Sequence, residues 1–218
     1  MHKTVKVWDV PTRLFHWGLV LLVAFMWISG SQGGDSLVWH IRGGITVAVF
    51  VVFRLMWGLV GSQSARFKDF VKGPTAVRQY LKSGEDKTPG HNPLGGWMVM
   101  ALLTVLLVQI STGLFSADVD SYLYDAPLAH HLTADNAARV SAVHQGMIYA
   151  LLALVLIHVL AIFAYRLFKG KNLVLPMFSG NKQLSVHLPP PAIASWRRAC
   201  ACAGLAGTVV LGLVLGWH

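Results

Sequence analysis

The sequence predicts an all-α integral membrane protein, and three observations lead there. The chain of 218 residues is 55% apolar and only 12% charged, with a mean hydropathy of +0.56, a balance foreign to soluble domains. Several apolar stretches can each cross a bilayer as a helix, since about 20 residues at 1.5 Å rise span a hydrocarbon core of about 30 Å. One of them, residues 140–168, carries His144 and His158 fourteen positions apart. At about 100° per residue that interval falls about 40° short of four turns and covers about 21 Å, so both imidazoles share a face near opposite membrane surfaces.

Taken in order, residues 1–12 form a short polar lead, and Pro11 and Thr12 open the first span, 13–29. His16 lies in its first turn, with Trp17 and Trp27 near the two ends as interfacial anchors. A short turn, 30–36, leads into the second span, 37–60, which begins with His40 and holds Arg54 as its one deep charge. Residues 61–93 form a basic loop with helical potential around 75–82, closed by the turn-rich Gly90-His91-Asn92-Pro93. The third span, 94–115, contains Gln109, Ser111 and Thr112 but no histidine. An acidic loop, 116–139, precedes the fourth span, 140–168; a basic, proline-rich connection then leads to a fifth span near 199–217. There Gly212 and Gly216 make a small-residue pair suited to close helix packing.

The 18 Lys and Arg outnumber the 9 Asp and Glu, yet their placement points to no nucleic acid. Basic residues crowd the N-terminal tail, the segment 66–87 and the segment 166–198, whereas Asp35, Asp118, Asp120, Asp125 and Asp135 occupy the other connections. This is the positive-inside asymmetry of a multi-pass protein of the bacterial inner (plasma) membrane with its N-terminus cytoplasmic. The first apolar run is too long, and lacks the small-residue site, for a cleaved signal. Cys200 and Cys202 make no disulfide framework, and no C-x-x-C-H is present for covalent haem attachment.

In this topology the histidines sort by depth. His16 and His158 share the cytoplasmic level, and His40 and His144 share the periplasmic level, although His16 reads as shallower than His158 unless the fourth span continues past the membrane surface. Ionisable groups at such depth face the bundle interior with a partner, and cofactor sites are built from side chains on facing helices. The expectation is two b-type haems, one held by His16 and His158, the other by His40 and His144. Bis-histidine ligation fills both axial positions of iron, which favours electron transfer over oxygen binding. His2, His91, His130, His131, His187 and His218 lie in loops or at termini and read as solvated, with a metal or partner contact as the alternative for His130-His131.

The set Arg13-Leu14-Phe15-His16-Trp17, His40 with Gly43-Gly44, Arg54-Leu55-Met56-Trp57-Gly58-Leu59-Val60-Gly61, Ala65-Arg66-Phe67, and the His144/His158 interval resembles the bacterial cytochrome b561 family. That family is grouped with the b-type cytochrome subunits of nickel–iron hydrogenases. The resemblance spans roughly residues 5–170. It implies a four-helix haem-binding transmembrane bundle with haem b ligated from spans one and four and from spans two and four. It also implies electron transfer between a periplasmic-face donor (a cytochrome c or a dehydrogenase or hydrogenase subunit) and membrane quinone. Residues 1–170 are thus read as the di-haem domain, 171–198 as a cytoplasmic connection and 199–218 as an additional transmembrane helix.

Each supporting residue keeps functional and plain readings side by side. Arg54 either neutralises a propionate of the inner haem or touches quinone, or it snorkels to headgroups. Arg42 serves the outer haem's propionates, attracts an anionic reactant, or anchors at the interface. Gly43, Gly44 and Gly113 admit a flat macrocycle or pack helices. Gln109 and Ser111 bond quinone or a neighbouring helix, and Cys200 and Cys202 bind metal or serve as small packing residues. Two rival functions remain: a superoxide:quinone oxidoreductase of the same fold, and a non-haem membrane protein whose histidines bind metal ions.

Overall fold

The computed structural model describes residues 2–84, 88–117, 124–185 and 188–215, the side chains of His2 and Ser185 excepted. The elements run β1 (His2–Lys6), α1 (Val10–Gln32), α2 (Ser36–Val60), α3 (Phe67–Phe70), α4 (Pro74–Ser83), α5 (Pro93–Leu114), a 3-10 turn (Ala129–His131), α6 (Ala134–Lys169), α7 (Val174–Ser179), β2 (Asn181–Ser185) and α8 (Trp196–Leu215). Five of these, α1, α2, α5, α6 and α8, are long and apolar enough to cross a membrane. Among the described residues the fold is all-α apart from one short two-stranded sheet. Asp118, Asp120, His187, Gly216 and His218, singled out above, lie outside the described residues.

The helices follow the hydropathic spans closely, with one informative departure. α6 starts at Ala134, inside the stretch read as an acidic loop, and runs 36 residues, about 54 Å at 1.5 Å per residue. Asp135 in its first turn suits the positive end of the helix dipole, so a polar sequence is helical there. A helix this long outruns a bilayer, but the added residues lie at its N-terminal end, away from His158. α4 occupies the stretch where helical potential was read, with Gly84 as its left-handed stop at φ 67°.

Two compact units make up the chain. The first draws on the chain before residue 17, residues 54–101 and residues 154–202. Here the polar lead and the proline-rich connection carry strands that were not foreseen: β1 and β2 pair antiparallel, from His2 opposite Ser185 to Lys6 opposite Asn181. Val7, Trp8 and Leu184 bury a small core over the pair. The backbone N–H groups of Val7 and Trp8 both donate to the Gly180 carbonyl, at 2.8 and 3.0 Å. Gly180 sits at φ 83°, and a Cβ there would lie 2.8 Å from the Trp8 carbonyl oxygen, so only glycine closes this turn. Asp9, 2% exposed, caps α1 by accepting from the Thr12 N–H at 2.6 Å. Its second oxygen accepts from the Trp57 indole at 3.1 Å. Gly58 leaves room for the Phe67 ring, whose Cε2 would be 2.1 Å from a Cβ.

The second unit draws on residues 17–53, residues 102–153 and the chain after 202. Gly43 admits the Met26 and Phe25 side chains, with Sδ of Met26 2.7 Å from a built Cβ. Ala206, Val210 and Val214 continue along α8 a buried row that begins with Ala199 and Cys202, the three- and four-residue spacing of one helix face. Cys202 is buried in that row while Cys200 is exposed, which fits packing rather than a shared metal. Gly212 faces open space, with nothing within 4 Å of a built Cβ.

Candidate functional site

In the first unit the rings of His16 on α1 and His158 on α6 lie 6.5 Å apart between centres, inclined by 58°. In the second, His40 on α2 and His144 on α6 lie 6.1 Å apart, inclined by 82°. These separations have a chemical meaning. Two imidazoles bound through nitrogen to one metal at about 2 Å place their ring centres about 6 Å apart, once the half-ring behind each nitrogen is added. Among the described residues no group of three or more His, Cys, Asp or Glu is placed to hold a metal ion. A pair of imidazoles is too few for a bare ion, and it is the number needed by iron already held in the plane of a porphyrin.

The second pair is oriented by its neighbours in a repeated way. Nδ1 of His40 donates to the Met26 carbonyl at 3.1 Å and lies 3.3 Å from the Ser29 hydroxyl; a Cβ on Gly30 would come 2.8 Å from its Cε1. Nδ1 of His144 donates to the Gln109 carbonyl at 3.0 Å and lies 3.3 Å from the Thr112 hydroxyl; a Cβ on Gly113 would come 2.8 Å from its Cε1. Each ring therefore rests against a carbonyl, a hydroxyl and a glycine at positions i, i+3 and i+4 of an adjacent helix. A proton fixed on Nδ1 leaves Nε2 unprotonated and able to serve as a ligand nitrogen. The Gln109 amide stands 3.4 Å from Nε2 of His144, at the long limit of a hydrogen bond, and it also bonds the His144 carbonyl at 3.2 Å. Gln109 is thus an interhelical partner, and Gly113 makes room for an imidazole. The histidine-free span, α5, has its purpose here. The pattern Met-x-x-Ser-Gly in α1 and Gln-x-x-Thr-Gly in α5 was visible in the sequence but carries meaning only beside the two rings.

Arg54 is 3% exposed and does not snorkel. Its guanidinium carbon sits 4.9 Å from the Phe67 ring centre, 5.9 Å from Phe70 and 6.0 Å from Phe15. Its buried Nη1 has no hydrogen-bond partner among the described residues. A buried cation with an unsatisfied donor calls for an anion. Arg42, in contrast, is exposed and stacks 5.0 Å over the Trp39 ring; two positions from His40, it lies on another face of α2.

His91 departs from its reading as a solvated loop residue. Its ring packs against Trp8, with centres 4.7 Å apart, and against Phe70 at 4.6 Å. Burial and the nearby Arg54 and Lys182 push its imidazole down to about 3, so it is neutral at physiological pH. His130 and His131 stack on each other at 4.0 Å in the 3-10 turn.

Apolar helices long enough to cross a membrane, with paired imidazoles at metal-bridging separation, define the class as a membrane-embedded haem protein. The prokaryotic cytochrome b561 family matches residues 7–180, and the chain belongs to that family. It is accordingly a multi-pass membrane b-type cytochrome of electron transport, with b-type haem as its cofactor. Similar proteins include a probable Ni/Fe-hydrogenase B-type cytochrome subunit of Bradyrhizobium diazoefficiens, 23% identical over 83% of this chain and 86% of the relative. Proteins of the same name from Rhizobium leguminosarum bv. viciae (24% identical, 83% of this chain and 89% of the relative) and Rhodobacter capsulatus (21%, 82% and 81%) are similar as well. No solved structure matches.

Proposed function

We propose that the chain is the membrane subunit through which electrons pass between a periplasmic-face redox partner and the quinone pool, by way of two b-type haems. His40 and His144 hold the outer haem, and His16 and His158 hold the inner one. The reading takes the protein to lie in the bacterial inner membrane with its N-terminus cytoplasmic. The observation that carries it is the pairing of four imidazoles at 6.5 and 6.1 Å, with one helix, α6, contributing to both pairs. Bound haem supplies a reversible one-electron couple, and the residues around it do the rest. The carbonyls of Met26 and Gln109 hold the outer imidazoles in the Nδ1–H tautomer and fix their planes. Arg54 neutralises a propionate of the inner haem, and the aromatic rings around it exclude water from that charge pair.

The relatives named as hydrogenase cytochrome subunits favour a hydrogenase-type protein as the periplasmic partner, and they lend nothing to the superoxide-oxidising alternative. A cytochrome c donor remains open to the same assay. The test is a reduced-minus-oxidised spectrum with haem quantitation on the purified protein, followed by quinone reduction with each candidate donor. Two haems b per chain support the proposal. One or none overturns it.

A further inference from the structure

The cradle of the outer pair is built twice, and its two halves differ in what one side chain does. Met26 of α1 and Gln109 of α5 each offer a backbone carbonyl to Nδ1 of their histidine, at 3.1 and 3.0 Å. Such a bond raises the basicity of the ring as a ligand and so favours ferric iron. Beyond the backbone the likeness ends. The Met26 side chain is turned to α2, where its Sδ and Cε would lie 2.7 and 3.6 Å from carbons built on Gly43 and Gly44. The Gln109 side chain returns to the residue that its own carbonyl holds. Its Nε2 stands 3.4 Å from Nε2 of His144 and donates to the His144 carbonyl at 3.2 Å. The second contact fixes which end of the amide faces the ring. Reversed, the amide would set Oε1 against the carbonyl oxygen, acceptor against acceptor. This orientation leaves Oε1 buried with no hydrogen-bond partner among the described residues, a cost in stability that a thioether at this position would not carry. Packing alone therefore does not account for an amide here.

We propose that Gln109 is the positioning residue that sets the potential of the outer site, its amide acting on iron through His144. The inference rests on the haem reading above. The amide N–H presents a positive end beside the nitrogen of His144 that is free to ligate. Positive charge there opposes the ferric state more than the ferrous one. The side chain thus raises the midpoint potential, while the backbone carbonyl of the same residue lowers it. The His40 side has the carbonyl and lacks the amide, so the asymmetry of the site rests on Gln109. The consequence is a more oxidising outer site, better able to take an electron from a partner at that face.

The test is a redox titration of the full-length protein, with haem quantitation and electron paramagnetic resonance, in wild type, Gln109→Met and Gln109→Leu. Gln109→Met rebuilds the α1 half of the cradle in α5, and both variants keep the backbone carbonyl while removing the amide. Wild type and His144→Ala come first. Fewer than two haems in the wild type, or no component lost from His144→Ala, would overturn the haem reading and this inference with it. Given two haems, the component that His144→Ala removes is the outer one. Both variants are expected to keep both haems, with the outer midpoint falling while the inner one holds. At the wild-type midpoint the ratio of oxidised to reduced outer haem should rise about fivefold, the size of one hydrogen bond's contribution. The ferric resonance signal, which reports the angle between the two imidazole planes, should keep its wild-type position, because the carbonyl still fixes the ring. Should one variant lose the outer haem, the other decides. An unchanged or raised outer midpoint, an equal fall in both components, a moved resonance signal, or loss of the outer haem from both variants would overturn the assignment.

Discussion

At Gly113 the absence of one methyl group sets where His144 can sit. Gly113→Ala would place a carbon 2.8 Å from Cε1 of His144, closer than side chains pack, and the flexible part of that contact is the ring itself. The expected outcome is displacement of the imidazole and loss of most of the outer haem with the inner one retained, read from the difference spectrum. Thr112→Val removes one polar neighbour of Nδ1 while leaving the Gln109 carbonyl, so it should shift the outer haem's potential without emptying the site. Arg54→Leu removes a buried cation from the inner site. By Coulomb's law this is worth on the order of 1–2 kcal/mol for charges about 10 Å apart at an effective dielectric near 20. The inner haem's midpoint potential should therefore fall in a redox titration, because the oxidised iron is no longer opposed by that charge. An unchanged potential would show that the guanidinium does not act on the haem.

Individual elements explain why some of this was legible in the sequence and some was not. The five long helices announce themselves through length and apolarity, which need no partner to be recognised. The β1–β2 pair does not, because a five-residue strand of mixed residues such as His2–Lys6 gains its identity from a partner nearly 180 positions away. The same holds for His91, whose burial depends on Trp8 and Phe70 closing over it from distant parts of the chain. The four intramembrane histidines could be paired in advance because the topology sorts them into two depths, and helical periodicity puts the two on α6 on one face. The cradle around them could not, since a carbonyl is invisible to composition. Asp9 illustrates an element held from outside itself, as it caps α1 and accepts from Trp57 at once. Asp9→Ala should lower stability by about 1–3 kcal/mol, the sum of a lost cap and an unpaired buried donor, measurable as earlier thermal unfolding in detergent with the haem spectrum as probe.

The whole molecule is a helical membrane b-type cytochrome of electron transport. The family match ends at Gly180, in the turn where α7 meets β2, so α8 lies beyond the part shared with the family. Reporter fusions to the connections should place the N-terminus and the 61–92 loop on the cytoplasmic side. The reverse orientation would contradict the topology read from the charge distribution. The most direct test of the central claim is the haem-to-protein ratio, with a redox titration, in wild type, His144→Ala and His158→Ala. The account predicts two haems in the wild type and one in each variant, the higher- and lower-potential components disappearing separately. Equal loss of both components from either variant, with helical content intact by circular dichroism, would contradict two independent bis-histidine sites.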